Sequence, residues 1–307
     1  MHDGDDCVVN APTRLTRTLY LVWRCGTTWL YSMLTKHPQI RVAKRKVPST
    51  QARSHLSRSL SVSDADCRLL NMPQYSQWMS AVEGEIVTGE GTPHTIFYPI
   101  GIRNARRLVP FAKVLILLRN PVEAAFSLYL HYRSVRGPAG NWATYDTVTF
   151  EQAWDTDYEA WQHCVENSRE IDCAQSLSSN GFNLYAMYSY IYHLRPWISE
   201  YPSEQLFIIT HEQLMSEPQA SLTRIIDFLE LQPFDWSPVL KDQEPIRLLE
   251  NYLLADNRNA WPKAIADIHP QTLKLYQELG IKPFPEWSVP GGLIPSRLLV
   301  RLPAKSR

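Results

Sequence analysis

Short apolar runs of strand length alternate along the chain with longer segments of helical periodicity. Lys113–Leu118 is an almost continuous apolar run, which is typical of a strand buried on both faces of a parallel sheet. Thr18–Trp23 and Gln205–Thr210 have a similar length and are also predicted to be strands. This alternation predicts an α/β fold, a central parallel β-sheet flanked by helices with ligands at the carboxyl ends of its strands. Predicted helices cover Trp29–Lys36, Tyr98–Leu108, Val122–Arg133, Phe150–Cys164, Asn183–Ile198 and Gln219–Leu229, and further short strands are predicted at Gln39–Val42 and Ile86–Thr88.

The organisation of the 307 residues is that of one domain. No repeat, low-complexity tract or linker divides them, so we expect a polar tail at residues 1–10 and a single domain at residues 11–307. An apolar content of 44% provides a sizeable core for a chain of this length.

The charges of the chain balance, with 31 Lys and Arg against 31 Asp and Glu. A protein without an overall basic field is not drawn to nucleic acid or to membranes, so we expect neither as a partner. Any site for an anion must therefore be local.

The cysteines form no CxxC motif and no Cys/His cluster, so we expect no metal site and no disulfide framework. The N-terminus is acidic and polar and contains no apolar signal segment, which favours reduced thiols and a cytoplasmic location. Pairing of Cys164 with Cys173 stays open for a luminal protein.

The turn after the first predicted strand, Arg24–Thr28, has the composition of an anion-binding loop. Gly26 allows close backbone approach, the following helix start offers N–H groups, and Arg24 with two threonine hydroxyls completes the set of donors. The GxxxxGK[ST] spacing of a Walker loop is missing. The same residues also fit an ordinary helix start capped by Thr27 or Thr28.

A second candidate follows the apolar strand, where Arg119 ends the run and Ser127 lies eight residues further on. A strand-end Arg and a helix hydroxyl on the same rim can hold one anion together. They also fit a solvated strand end and a small packing residue. Two such strand ends in one parallel sheet suggest a ligand with two separated phosphates.

Five motifs follow one another along the chain: Arg-x-Gly-Thr-Thr-Trp-Leu from Arg24, His37-Pro38, Arg119-Asn120-Pro121-Val122-Glu123 with Ser127 and Tyr129, Tyr190-xxx-Leu194-xx-Trp197, and Tyr201-Pro202-xx-Gln205-Leu206. In this order they closely resemble the sulfotransferase family, in particular its heparan-sulfate and bacterial-type branch. The resemblance spans about Leu19 to Leu231. It implies a P-loop-like sulfotransferase fold, with 3′-phosphoadenosine 5′-phosphosulfate (PAPS) as sulfuryl donor and 3′-phosphoadenosine 5′-phosphate (PAP) as product.

The same resemblance implies which residues bind the nucleotide. The 3′-phosphate falls to Arg119 and Ser127, and Arg258 in Asn257-Arg258-Asn259 matches a late basic loop that closes over the nucleotide. Arg258 also fits a plain surface residue. The 5′-phosphosulfate falls to Arg24, Cys25, Gly26, Thr27, Thr28 and Trp29, and Tyr190 joins the nucleotide-binding set.

The catalytic candidates are Arg24, Lys46, Glu90 and His94. Arg24 stands where most relatives have Lys, and a guanidinium there can stabilise the charge of the leaving phosphate but is a poor proton donor. Glu90 is the favoured general base and His94 the other candidate, and both also fit structural roles in a loop. The Glu that the subgroup often has after His37-Pro38 is absent, and Lys46 either assists the sulfonate or is a solvated loop residue.

We therefore expect a sulfotransferase that acts on a hydroxyl or amine of a small-molecule acceptor. The alternatives are an enzyme for polysaccharides, against which the balanced charge counts, a kinase-like nucleotide-binding protein and a non-catalytic relative. Other aromatic and histidine side chains carry no ligand spacing, and the aromatic ones fit either an acceptor pocket or the core. They are Trp142, Tyr145, Trp154, Trp161, His131, His163, His193 and His211.

Overall fold

The computed structural model describes residues 25–42, 87–89, 96–97, 102–103, 106, 110–134, 147–181, 183–241 and 261–287. The first predicted strand lies outside these residues. No helix in the described part is both long and apolar enough to cross a membrane. The strands are β1 (Ile40–Val42), β2 (Val87–Gly89), β3 (Val114–Leu118) and β4 (Leu206–Thr210). The helices are α1 (Thr27–Leu34), α2 (Pro121–Ser134), α3 (Phe150–Asn167), α4 (Glu170–Ser176), α5 (Leu184–Tyr188), α6 (Tyr190–Glu200), α7 (His211–Ser216), α8 (Pro218–Phe228), α9 (Ser237–Lys241) and α10 (Trp261–Leu279).

The strands pair in parallel, as the alternation of elements predicts. β3 lies beside β4 with Leu118 opposite Thr210, so both strands end at the same rim. All residues of β3 are buried, which explains its uninterrupted apolar sequence. β1 and β2 form a second parallel pair, in which Ile40 lies opposite Val87. The predicted α/β fold with a parallel sheet and flanking helices is confirmed.

Polar residues next to the helices fix where the helices begin. At the start of α2, Asn120 Oδ1 accepts hydrogen bonds from the backbone N–H groups of Val122 and Glu123, at 3.1 and 3.3 Å. At the start of α3, Thr149 and Gln152 exchange side-chain and backbone hydrogen bonds in a capping box. These bonds satisfy N–H groups that the start of a helix leaves unpaired, and so they fix where α2 and α3 begin. Both helices start within one residue of their predicted positions.

One predicted helix, Asn183–Ile198, is in fact two helices, α5 and α6. They meet at Ser189, whose ψ of 67° lies outside the helical region. The Ser189 hydroxyl donates to the Tyr185 carbonyl at 2.9 Å, a local bond that competes with the regular helical pattern. The break gives α6 its own beginning at Tyr190, a residue of the candidate site.

Aromatic side chains of α3, α5 and α6 form the core beside α10. Trp154 and Trp161 are 1% and 3% exposed, and their rings lie 5.8 and 5.3 Å from the ring of Tyr185. The indole N–H of Trp154 donates to Asp267 of α10 at 3.0 Å. These two tryptophans are therefore core residues, while Trp142 and Tyr145 lie outside the described residues.

A disulfide joins Cys164 near the end of α3 to Cys173 of α4, with the Cα atoms 5.9 Å apart. The expectation of reduced thiols is wrong for this pair, because the packing of α4 against α3 brings the two side chains together. Cys25 is the other cysteine within the described residues and is not in a disulfide.

Candidate anion-binding site

The first predicted anion loop, Arg24–Thr28, is described from Cys25 onward and turns into α1 through a left-handed glycine. Gly26 has a φ of 92° and is the residue that caps α1, so the helix begins at Thr27, earlier than predicted. Gly26 has no side chain with which to cap this end, and the alternative of a cap by Thr27 or Thr28 stays a prediction. The backbone N–H groups of the first turn and the helix dipole thus favour an anion here.

The second predicted anion loop follows β3. Arg119 is only 7% exposed, and its Nε and Nη2 donate to Glu123 Oε2 at 3.3 and 3.0 Å. Because Arg119 is buried, the alternative of a solvent-exposed residue at the strand end is excluded. A guanidinium carries five N–H groups, so the contact with Glu123 orients Arg119 and still leaves donors for an anion. Ser127 lies on α2, two turns from its start, and is also 7% exposed.

Tyr190 lies between the two loops. Its hydroxyl donates to the Arg119 carbonyl at 2.9 Å and lies 3.6 Å from Cys25 Sγ. Burial raises the pKa of this phenol well above its usual value, so the hydroxyl keeps its proton. The structure thus places Tyr190 against the protein atoms of both loops, and its predicted contact with a nucleotide stays a prediction.

His211, which directly follows β4, contacts the first loop. Its Nδ1 lies 2.6 Å from the position that a Cβ on Gly26 would take, and its ring hydrogen-bonds the backbone of Cys25. Burial and the nearby Arg119 charge lower the His211 pKa to about 3, so the ring is neutral at pH 7. The buried Nδ1 has no hydrogen-bond partner among the described residues.

Glu212 contacts the second loop. Its Oε1 accepts the backbone N–H of Asn120 at 2.8 Å, and its Oε2 accepts the indole N–H of Trp287 at 3.3 Å. Burial raises the pKa of this carboxyl. Sequence reasoning missed both His211 and Glu212. The signal that could have found them is their place directly after a strand parallel to β3.

The remaining predicted site residues cannot be placed. Arg24, Lys46, Glu90, His94 and Arg258 lie outside the described residues, so their roles stay predictions. Within the described part of the chain, no His, Cys, Asp and Glu side chains group into a metal site.

The described residues fit a ligand with two phosphates. The loop at Gly26 has no side chain at the point where the backbone must be approached closely, and it opens a helix N-terminus. Arg119 supplies a buried, oriented guanidinium at the end of β3. Tyr190 contacts both loops, while His211 contacts the loop at Gly26 and Glu212 contacts the loop that follows β3.

Comparison with protein families gives a match to the sulfotransferase domain over residues 22–253. Among relatives, the bifunctional heparan sulfate N-deacetylase/N-sulfotransferase 2 of Bos taurus is 31% identical over 132 residues, 43% of this chain and 13% of that protein. Carbohydrate sulfotransferase 15 of Mus musculus is 25% identical over 296 residues, 83% of this chain and 49% of that protein. The chain therefore spans half or less of the length of these relatives.

A similar architecture occurs in the crystal structure of a sulfotransferase from Alicyclobacillus acidocaldarius. The two chains superimpose with a TM-score of 0.59 at 19% identity, over 87% of this chain and 96% of the other. A likeness at this identity concerns the fold, and it agrees with the parallel strands and flanking helices described above.

Proposed function

The chain belongs to the sulfotransferase domain family, and we propose that it transfers a sulfuryl group from PAPS to a hydroxyl or amine of a carbohydrate. The observation that carries the proposal is that a left-handed glycine loop at a helix start and the loop with the buried Arg119 at the end of β3 are both contacted by the residues that follow the parallel strand β4. Such a pair suits a nucleotide with separated 5′ and 3′ phosphates.

The residues of this chain divide into two binding sets. The loop Arg24–Trp29 would hold the 5′-phosphosulfate, while Arg119, Ser127 and Arg258 would hold the 3′-phosphate. Bound PAPS would supply the sulfuryl group, and PAP would be left after transfer. The protein needs to position both reactants and neutralise charge, as in phosphoryl transfer.

The catalytic assignments rest on residue chemistry. Arg24 would stabilise negative charge on the leaving phosphate, and Lys46 would assist at the sulfonate. Glu90, which follows β2 directly in the chain, would take the proton of the acceptor at its carboxylate, with His94 as the other candidate. A neutral amine acceptor is already nucleophilic and makes less demand on such a base.

A carbohydrate acceptor is supported by the relatives. The two relatives described above act, by their names, on heparan sulfate and on carbohydrate, and the similarity to the second covers 83% of this chain. The small-molecule acceptor expected from the sequence rests on the balanced total charge. A protein whose charges balance overall can still have a basic cleft. The balanced net charge is therefore weaker evidence against a carbohydrate acceptor than the sequence similarity is in its favour.

The disulfide bears on where the domain works. Disulfides persist in oxidising compartments and are rare in the cytosol, so Cys164–Cys173 supports an oxidising compartment in place of the expected cytoplasmic location. Mass spectrometry of protein alkylated before reduction, taken from its native cells, checks this. Recovery of the two cysteines as alkylated thiols would return the domain to a reducing compartment.

The transfer itself is tested with PAPS labelled in its sulfuryl group. Purified protein is incubated with heparan sulfate stripped of N-sulfate, with other sugar polymers and monosaccharides, and with a phenol as small-molecule acceptor. Label should move to a carbohydrate. Transfer to the phenol alone would favour a small-molecule enzyme, and PAP binding without transfer to any acceptor would favour a non-catalytic relative.

A further inference from the structure

The end of β4 places two consecutive side chains against two different anion loops. Leu118 and Thr210 are opposite each other in the parallel pair, so the residues that follow them, Arg119-Asn120 and His211-Glu212, emerge side by side at one rim. Of the second pair, His211 contacts the first loop and Glu212 contacts the second. The segment therefore forms a physical link between the loops.

The contact with the second loop is a directed hydrogen bond. Glu212 Oε1 accepts the backbone N–H of Asn120 at 2.8 Å, while Asn120 Oδ1 caps the start of α2. The peptide unit between Arg119 and Asn120 is thus held on the Glu212 side by a carboxylate. On the other side of the same peptide unit, the Tyr190 hydroxyl donates a hydrogen bond to the Arg119 carbonyl oxygen at 2.9 Å. The backbone that carries the Arg119 guanidinium has little freedom to move.

The contact with the first loop is steric as well as polar. The His211 ring occupies the space of a missing Cβ at Gly26, with Nδ1 at 2.6 Å and Cε1 at 3.1 Å from that position. The ring also hydrogen-bonds the backbone of Cys25. A left-handed turn packed against a buried ring keeps one conformation, because a shift toward the ring meets atoms and a shift away breaks the hydrogen bond.

We propose that His211 and Glu212 are positioning residues that fix the two anion loops relative to each other. A ligand with two phosphates then binds more tightly than a ligand that carries only one of them. The proposal rests on the function proposed above. Its physical basis is effective concentration. When one phosphate is bound at its loop, the second phosphate already lies near the other loop, and neither loop has to be ordered further to bind it. Neither residue needs to touch the ligand.

The test compares PAP with adenosine 5′-phosphate and adenosine 3′-phosphate by calorimetry on the full chain. The measured quantity is the bisphosphate advantage, which is the affinity for PAP relative to the better monophosphate. Glu212→Ala and His211→Ala should each lower this advantage about tenfold, while the affinities for the monophosphates change little. A loss of all three affinities in parallel, or an unchanged advantage in folded protein, would overturn the proposal.

Matched variants separate positioning from general destabilisation. Glu212→Gln keeps an acceptor for the Asn120 N–H and should retain the advantage even if Glu212→Ala fails to fold. Trp287→Phe removes only the bond to Oε2 and keeps an aromatic ring, so it should also retain the advantage, as should the exposed Glu204→Ala. A Glu212→Gln protein that loses the advantage as fully as an alanine variant would contradict the assigned role of the Asn120 contact.

The same titrations distinguish failure of this inference from failure of the proposed function. Wild-type protein that binds PAP no better than the monophosphates would refute the two-phosphate site itself. Wild-type protein with a clear advantage that His211→Ala and Glu212→Ala leave intact would refute the positioning role alone.

Discussion

Replacing Gly26 by Ala tests the first loop where it is packed most tightly. A Cβ at this position would lie 2.6 Å from His211 Nδ1 and 3.1 Å from Cε1, while the φ of 92° is one that side chains rarely adopt. The left-handed conformation costs alanine about 1–2 kcal/mol and overpacking adds about 1–3 kcal/mol. The free energy of unfolding should therefore fall by about 2–5 kcal/mol in total.

Gly280 provides the matched control for the conformational part. It also has a positive φ, of 63°, but a Cβ there would meet nothing within 4 Å. Gly280→Ala should thus show only the conformational cost of about 1–2 kcal/mol. The difference between the two variants measures the clash with His211.

A double variant locates that clash. Adding His211→Ala to Gly26→Ala removes the ring but not the unfavourable φ, so the pair should be less destabilising than the sum of the single changes by about 1–3 kcal/mol. Urea denaturation of the four proteins and the wild type supplies the free energies. The reasoning is refuted if Gly26→Ala costs no more than Gly280→Ala, or if Gly26→Ala and His211→Ala are additive.

Other predictions concern the phosphates, the proton and the pH dependence of stability. Arg119→Ala should weaken PAP binding about tenfold or more in calorimetry, because a charged hydrogen-bond partner is lost, and an unchanged affinity in folded protein would remove Arg119 from the site. Glu90→Gln should lower kcat roughly 10²-fold with nucleotide affinity near wild type, whereas Arg24→Ala should impair both; full activity of Glu90→Gln beside an inactive His94→Asn would make His94 the base. His193 is 1% exposed and burial lowers its pKa from 6.5 to about 4, so between these values the unfolded chain binds a proton that the folded chain does not. His193 should thus contribute about 3 kcal/mol to the fall in the free energy of unfolding as the pH drops through this window, and His193→Gln should lose that part of the slope in urea denaturation. The same slope in both proteins would assign it to other groups.

Local sequence patterns were sufficient for the elements that carry the site. The continuous apolar run of β3 predicted a doubly buried strand, and the alternation of strands with helices predicted a parallel sheet, in which the structure pairs β3 with β4. Strand-end position and residue type together indicated Gly26 and Arg119 as anion-binding residues. These features are local because periodicity, glycine conformation and the place of a residue after a strand are all written in neighbouring residues.

The tertiary structure decided which distant residues meet. Trp154 is buried and its indole N–H bonds Asp267, 113 residues later in the chain. The break at Ser189 and the Cys164–Cys173 disulfide arise between neighbouring helices, and the sequence pattern did not settle either of them. The same holds for the link between the anion loops. Nothing near His211 in the sequence indicates that it packs on Gly26, 185 residues earlier in the chain. Likewise, nothing near Glu212 indicates that it binds the Asn120 N–H. Only the parallel register of β3 and β4 brings those groups to one rim, because a sheet places side by side what the chain keeps apart.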